Sequence, residues 1–437
     1  MNPVSRTRNN LRDGFHGWKV AAAGATVWAF QSMIWTQGFG NLAVVLQDVD
    51  GEFAWSTGFV ALVFALTRAQ AAIMGVPLGV ALKRYNIGRL MRAGAIILFA
   101  GFLALAQSHS KGWFVASVML ITVGVTLAGF LTITASTVSW FERKRAQALS
   151  FGTMGFALGG FAGPVMVVGF DAFGWRWTMA VAGFVLAVVI WRLAAVVGVN
   201  RLEIGAPVDG IKPSEGVEEK RAQGVQDQHF TTSEAVRTHS FWMIAFGHGS
   251  ALLVVSSVML HLPQYLVEDR GFSPQRAALV AGFVPALQLC GTLIGGYLGD
   301  RLNKRLIASV AMLMHGVGLL ALTFASNWIL IVIFVVLHGL AWGARGPQMA
   351  ALRADYFGAT SFGPIMGWSS LIITVFAICG PLLAGWLADT TGDFRLGFTI
   401  ISLVTIAGSI FFVLATPPRS TPVSGTTPAV PATMDRL

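Results

Sequence analysis

Long apolar stretches alternate with short polar ones along the whole chain. Twelve apolar runs stand out, at 18–40, 56–82, 90–109, 113–138, 146–170, 176–198, 241–263, 277–299, 305–325, 328–350, 362–388 and 394–416. Each holds about 20 residues, which at about 1.5 Å per helical residue spans the hydrocarbon layer of a bilayer. The pattern therefore predicts an all-α membrane protein with twelve transmembrane helices in two pseudo-symmetric six-helix bundles. Four segments follow: a first bundle over 1–198, a cytoplasmic linker over 199–240, a second bundle over 241–416 and a disordered cytoplasmic tail over 417–437. The linker carries Lys212, Pro213, Glu215, Glu218, Glu219, Lys220 and Arg221 and reads as mostly solvated. Near its end Thr231 and Glu234 have capping-box spacing, which predicts a short surface helix.

Composition agrees. The 437 residues are 55% hydrophobic and 11% charged, and mean hydropathy is +0.68. A soluble domain carries roughly twice that charged fraction. The first apolar run is too long for the core of a cleavable signal peptide. Cys290 and Cys379 both lie in apolar runs and suggest free packing cysteines.

Net charge is +10, but its placement argues for membrane orientation and against nucleic acid. With both termini on the cytoplasmic side, 23 of the 30 Lys and Arg fall in cytoplasmic segments and five in outer ones, as the positive-inside rule requires. The expected location is a cell inner membrane. Trp55, Trp113, Trp175 and Trp328 fall near outer span ends, where an aromatic belt would sit.

The two halves echo each other. Gly79-x-x-x-Lys83-Arg84 returns as Gly296-x-x-x-Asp300-Arg301, and Gly163-Pro164 as Gly380-Pro381, both 217 residues later. Trp140-Phe141 returns as Tyr356-Phe357, 216 residues later. Matches at nearly one offset point to a duplicated six-helix unit with a path between its copies.

These residues resemble the major facilitator superfamily. The loop from Gly296 to Arg305 is similar to its conserved loop between the second and third helices of a half, and Gly174-Trp175-Arg176-Trp177 to its sixth-helix entry. Within it, three stretches resemble the monocarboxylate-porter and oxalate–formate-antiporter branch: His16-Gly17-Trp18, the segment from His261-Leu262-Pro263 to Gly271-Phe272-Ser273, and Asp355-Tyr356-Phe357-Gly358 with Phe362-Gly363. The resemblance implies alternating access, with Arg84, Asp300 and Arg301 in loops that clamp one conformational state. Two departures matter. Lys83 replaces the usual loop aspartate, and the helix-1 lysine and helix-8 Asp–Arg pair of animal monocarboxylate carriers have no counterpart.

Two arginines, Arg68 and Arg345, lie deep inside spans, and no Asp or Glu does. Placing a guanidinium at a helix centre costs about 2.5–3.5 kcal/mol on insertion scales. Arg345, in the tenth span, is the first anion-ligand candidate; the structural alternative is a snorkelling helix-end arginine. Its neighbours Gly346-Pro347 predict a helix break. Arg68, in the second span, is the other candidate; a structural post held by Gln70 is the alternative. Gln31 and Trp35 share a face with Trp28 in the first span, and with His248 and Gln288 they complete the candidate substrate set. A packed aromatic face or ordinary interhelical hydrogen bonding would explain them equally. His248, His315 and His338 are proton-coupling candidates, with His261 at an outer end; each also suits a packed, hydrogen-bonded role. Their spacing fits no metal, and no cofactor is expected. No His-Glu-x-x-His or Gly-x-Ser-x-Gly constellation argues for an enzyme. The reading is a monomeric secondary transporter of a small, monocarboxylate-like organic anion, by proton symport or anion exchange. A drug or neutral-solute exporter of the same fold is the alternative.

Overall fold

Helix starts in this chain are set by short polar side chains at the ends of apolar runs. In the computed structural model, which describes residues 15–47, 53, 55–211 and 230–418, seven helices open this way. Ser56, Asn86, Ser110, Thr238, Ser273, Asn303 and Asn327 each accept a first-turn backbone N–H. The expected capping box forms too, Thr231 and Glu234 bonding each other's backbone N–H.

The first half holds α1 (His16–Gln31), a π-helical turn (Ser32–Gln37), α2 (Gly38–Gln47), α3 (Thr57–Arg84), α4 (Ile87–Ala106), α5 (Lys111–Leu127), α6 (Phe130–Trp140), α7 (Arg145–Phe161), α8 (Pro164–Phe173) and α9 (Trp175–Val197). After the short α10 (Thr232–Arg237) come α11 (His239–Glu268), α12 (Pro274–Gly299), α13 (Lys304–Thr323), α14 (Trp328–Phe357), α15 (Phe362–Thr391) and α16 (Arg395–Leu414). Among the described residues, ten helical stretches are long and apolar enough to cross a membrane. The bent pair α7–α8, with 40° between its parts, makes an eleventh. The first expected span is helical from 16 to 47, but the π turn divides it, leaving α1 only 16 residues long.

Breaks occur where backbone chemistry allows them, not always where the sequence suggests. The fourth expected span parts at Ala128 and Gly129, where the Thr132 hydroxyl donates to the Leu127 carbonyl at 2.7 Å. Conversely, α14 runs unbroken through Gly346-Pro347, contrary to the sequence expectation. Just before that pair α14 is pressed on α12: a methyl on Gly343 would lie 1.9 Å from the Gln288 carbonyl oxygen, and one on Gly295 would lie 2.5 Å from Ala344 Cα. Close packing on α12 keeps α14 helical up to the proline and offsets the hydrogen bond that Pro347 cannot donate. α14 also extends seven residues past the expected end, which brings Arg353 into the helix.

Packing divides by half. One apolar core is drawn from Val20 to Val197; two more come from Leu253 to Ile401 and from Phe230 to Ala415. A small fourth cluster joins Val138 and Leu149 to Ala350, Ala351, Ala354, Phe362 and Met366. It lies toward the face that carries the loops at 85–86, 141–144, 300–303 and 358–361, termed here the basic face.

One expectation is corrected. Trp113 and Trp328 are half-exposed at helix starts, as a belt requires, whereas Trp55 and Trp175 are buried beside Phe53 and Phe114. In the described part of the segment after α9, Arg201 donates to the Ser139 carbonyl at 2.9 Å, and Asp209 accepts from the Arg143 N–H at 2.8 Å. Residues 212–229 and the tail from 419 lie outside the described residues.

Candidate functional site

The halves meet at the basic face through backbone-to-backbone contacts that only glycine permits. A Cβ on Gly79 of α3 would lie 2.5 Å from the Gly363 oxygen of α15, and one on Gly367 would lie 2.3 Å from the Gly75 oxygen. Polar clamps flank this seam. Asp300, at the end of α12, accepts the backbone N–H groups of Ala146 and Gln147 at 2.8 and 3.0 Å, so a carboxylate of one half caps α7 of the other. Burial pushes its carboxyl up, against the pull of those two donors. Arg145 pairs with Asp355 across the halves, and Lys304 Nζ sits 2.8 Å from the same carboxylate.

The repeat places Lys83 opposite Asp300, and its partner explains the exchange of sign. Residues 363 and 364 correspond to Ala146 and Gln147. Residue 364 is proline and has no N–H to give a carboxylate. Lys83 Nζ instead donates to Ser361 Oγ at 2.9 Å, beside the start of α15. Of the other loop residues, Arg301 folds back on its own helix, 3.6 Å over the Tyr297 ring, and Arg84 is exposed.

Beyond the glycine seam from the basic face lies a cavity of about 310 Å³. Gly75, Leu78 and Ser370 line its seam side; Gln31, Trp35, Thr36, Arg68, Phe130 and Phe156 are among its other walls. The π turn bears on this wall. It carries Trp35 and Thr36 directly after Gln31, while Trp28 is left behind the wall, stacked on Phe156 at 5.0 Å and Phe130 at 5.5 Å. π turns recur at functional sites because the extra residue reorients side chains.

Arg68 is the one charged residue of this lining among the described residues. It is exposed to the cavity, with its guanidinium carbon 4.9 Å from the Phe64 ring centroid. No hydrogen bond or ion pair involves it among the described residues. Gln70 does not hold it, donating instead to the Met119 carbonyl at 3.2 Å. Gln31 is 4% exposed, and its Nε2 has no partner.

The other candidates stand elsewhere. Arg345 is 2% exposed, and its Nε and Nη1 have no partner. It is seven residues, about two turns, beyond His338, whose Nδ1 lies 3.1 Å from His315 Nδ1 of α13. Arg345 therefore faces the interior of the second bundle, within electrostatic reach of His248, His315 and His338. The cavity wall includes neither Arg345, His248 nor Gln288. His261 bonds the Pro381 carbonyl at 3.0 Å. Sequence reasoning missed Arg353, which is 1% exposed and donates to Ser369 Oγ at 3.1 Å. It also missed the cavity threonines. An arginine three residues past an apolar run was the available signal for the first; nothing marked the second.

Comparison with known proteins follows the same lines. The sequence matches the family description Major Facilitator Superfamily over residues 28–287 and 244–434. The benzoate transport protein of Acinetobacter baylyi is 21% identical over 67% of this chain and 67% of its own length. Human monocarboxylate transporter 2 is 22% identical over 92% of this chain and 86% of its own. The crystal structure of the transporter FucP in the outward conformation superposes with a TM-score of 0.65, at 13% identity, over 91% of this chain and 98% of that one. Helical spans, a glycine-sealed seam between two halves and this match over nearly the whole sequence lead to one conclusion: the chain belongs to the major facilitator superfamily, a family of membrane transporters and not of enzymes.

Proposed function

We propose that this protein moves a small organic anion of the monocarboxylate kind by alternating access between two six-helix bundles, 1–198 and 241–416. The observation that carries this reading is Arg68: an unpaired guanidinium facing a cavity with no acid in its described wall. A carboxylate would satisfy the guanidinium fork and cancel its charge, so that the loaded site closes without an uncompensated cation. The relatives named for benzoate and monocarboxylates support the class. In this proposal Arg68, Gln31 and Trp35 are the substrate ligands of the present conformation. Arg345, His248 and Gln288 stand off the cavity wall and contact no substrate there.

In this proposal the protein is a monomer in a cell inner membrane with both termini cytoplasmic; the charge distribution supports that orientation, which makes the basic face the cytoplasmic one. The seam is then the inner gate, and the cavity awaits substrate from outside. Coupling is either proton symport through a buried histidine, His248, His315 or His338, or exchange for a second anion. Counterflow of radiolabelled carboxylates in proteoliposomes tests the proposal. Uptake that Arg68→Gln abolishes supports it; carboxylate uptake unchanged by Arg68→Gln refutes it. The aromatic cavity wall favours one alternative, export of drugs or neutral solutes. That alternative predicts binding of uncharged aromatic compounds without any need for Arg68.

A further inference from the structure

The cavity wall has few free donors, and this restricts what can fill it. Four of its five hydroxyls are already committed, Thr36 being the exception: Thr67 donates to the Phe64 carbonyl at 2.7 Å, Thr122 to Val118 at 2.8 Å, Thr126 to Thr122 at 2.7 Å and Ser370 to Met366 at 2.8 Å. Besides the Trp35 indole, the lining groups left with unused N–H groups are the Arg68 guanidinium and Gln31 Nε2. Both suit the oxygens of one carboxylate. A second carboxylate would find no second cation in the described wall.

The rest of the wall is largely apolar and aromatic. Trp35, Phe64, Phe130 and Phe156 all contribute to it. Phe130 and Phe156 are backed by the buried Trp28, stacked on them at interplanar angles of 25° and 13°, so neither ring can retreat from the cavity. A volume of about 310 Å³ lies at the lower end of small-molecule sites. Flat faces at fixed positions reward a flat partner, because ring pairs add attraction beyond the area they bury.

We infer that the substrate carries a single carboxylate on a flat aromatic body: Arg68 and Gln31 hold the carboxylate, and the ring lies against Phe130 and Phe156. The inference rests on the proposed carboxylate transport and narrows it. It separates aromatic monoacids from short aliphatic acids, which would leave the aromatic wall unfilled, and from diacids, which would bury an unpaired charge.

The test is competition against labelled benzoate, with the full-length protein in proteoliposomes. Benzoate and phenylacetate should compete about tenfold better than acetate or propionate. Succinate and phthalate should not compete. Phe130→Leu should weaken benzoate severalfold more than it weakens acetate, with an unchanged unfolding temperature showing that the fold is intact. Aliphatic acids or diacids carried as well as benzoate, in an Arg68-dependent manner, would overturn the inference and leave carboxylate transport standing. Failure of every carboxylate would overturn both.

Discussion

Arg68 and Arg345 have the same side chain and opposite settings. Arg68 faces a cavity, so its charge is available to a ligand. Arg345 is enclosed in its own bundle with two guanidinium nitrogens, Nε and Nη1, unpaired. Arg68→Gln is therefore expected to weaken carboxylate binding by about 10- to 100-fold, the worth of a charged hydrogen-bonded contact, with little change in unfolding temperature. Arg68→Lys should keep part of the affinity, since it keeps the charge and loses the fork. Isothermal calorimetry on the purified variants measures both. Arg345→Met should behave in the reverse way. A buried charge without a partner costs more than an apolar isostere, so thermal stability in detergent should hold or rise. Marked destabilisation by Arg345→Met would mean that the guanidinium is satisfied in a way this conformation does not show. Both arginines were legible in the sequence as expensive charges. Their directions were not, because a lipid-facing and a bundle-facing position are both surrounded by apolar residues, and periodicity has no contrast to read.

Helices meet at the seam through glycine, and this makes the seam sensitive to single methyl groups. Gly79→Val would drive a side chain into the backbone of Gly363 and Pro364, which cannot move aside as a rotamer can. The halves should part at the basic face. Spin labels at 143 and 302, placed in a Cys290→Ser, Cys379→Ser background, should report a longer separation than without the Gly79 change. The paired clamps give a second test. Lys83→Asp restores the usual loop carboxylate but should not restore a clamp, because Pro364 withholds the N–H that Gln147 supplies in the other half. Only the combination with Pro364→Ala should bring the labels closer than Lys83→Asp alone. The two changes should therefore couple non-additively, as residues in contact do. The sequence displayed the lysine as a departure from pattern. Its meaning needed residue 364, which lies 281 positions away and becomes a neighbour only when α3 and α15 pack.

At the scale of the molecule, the proposed orientation rests on charge asymmetry. Single cysteines at Tyr85 and Gly112, both in a background without native cysteine, should label from opposite sides of the membrane. A membrane-impermeant maleimide added outside cells should reach position 112 and spare 85; the reverse pattern would invert the topology. The sequence by itself determined the all-helical membrane class and the superfamily, because the cost of burying polar backbone and charge in hydrocarbon is written into local composition. Tertiary structure alone decided which arginine faces the cavity, where helices break and what the clamps hold. Those outcomes depend on helix rotation and on contacts between distant segments. In a chain apolar on nearly every helix face, packing sets such contacts, and composition does not.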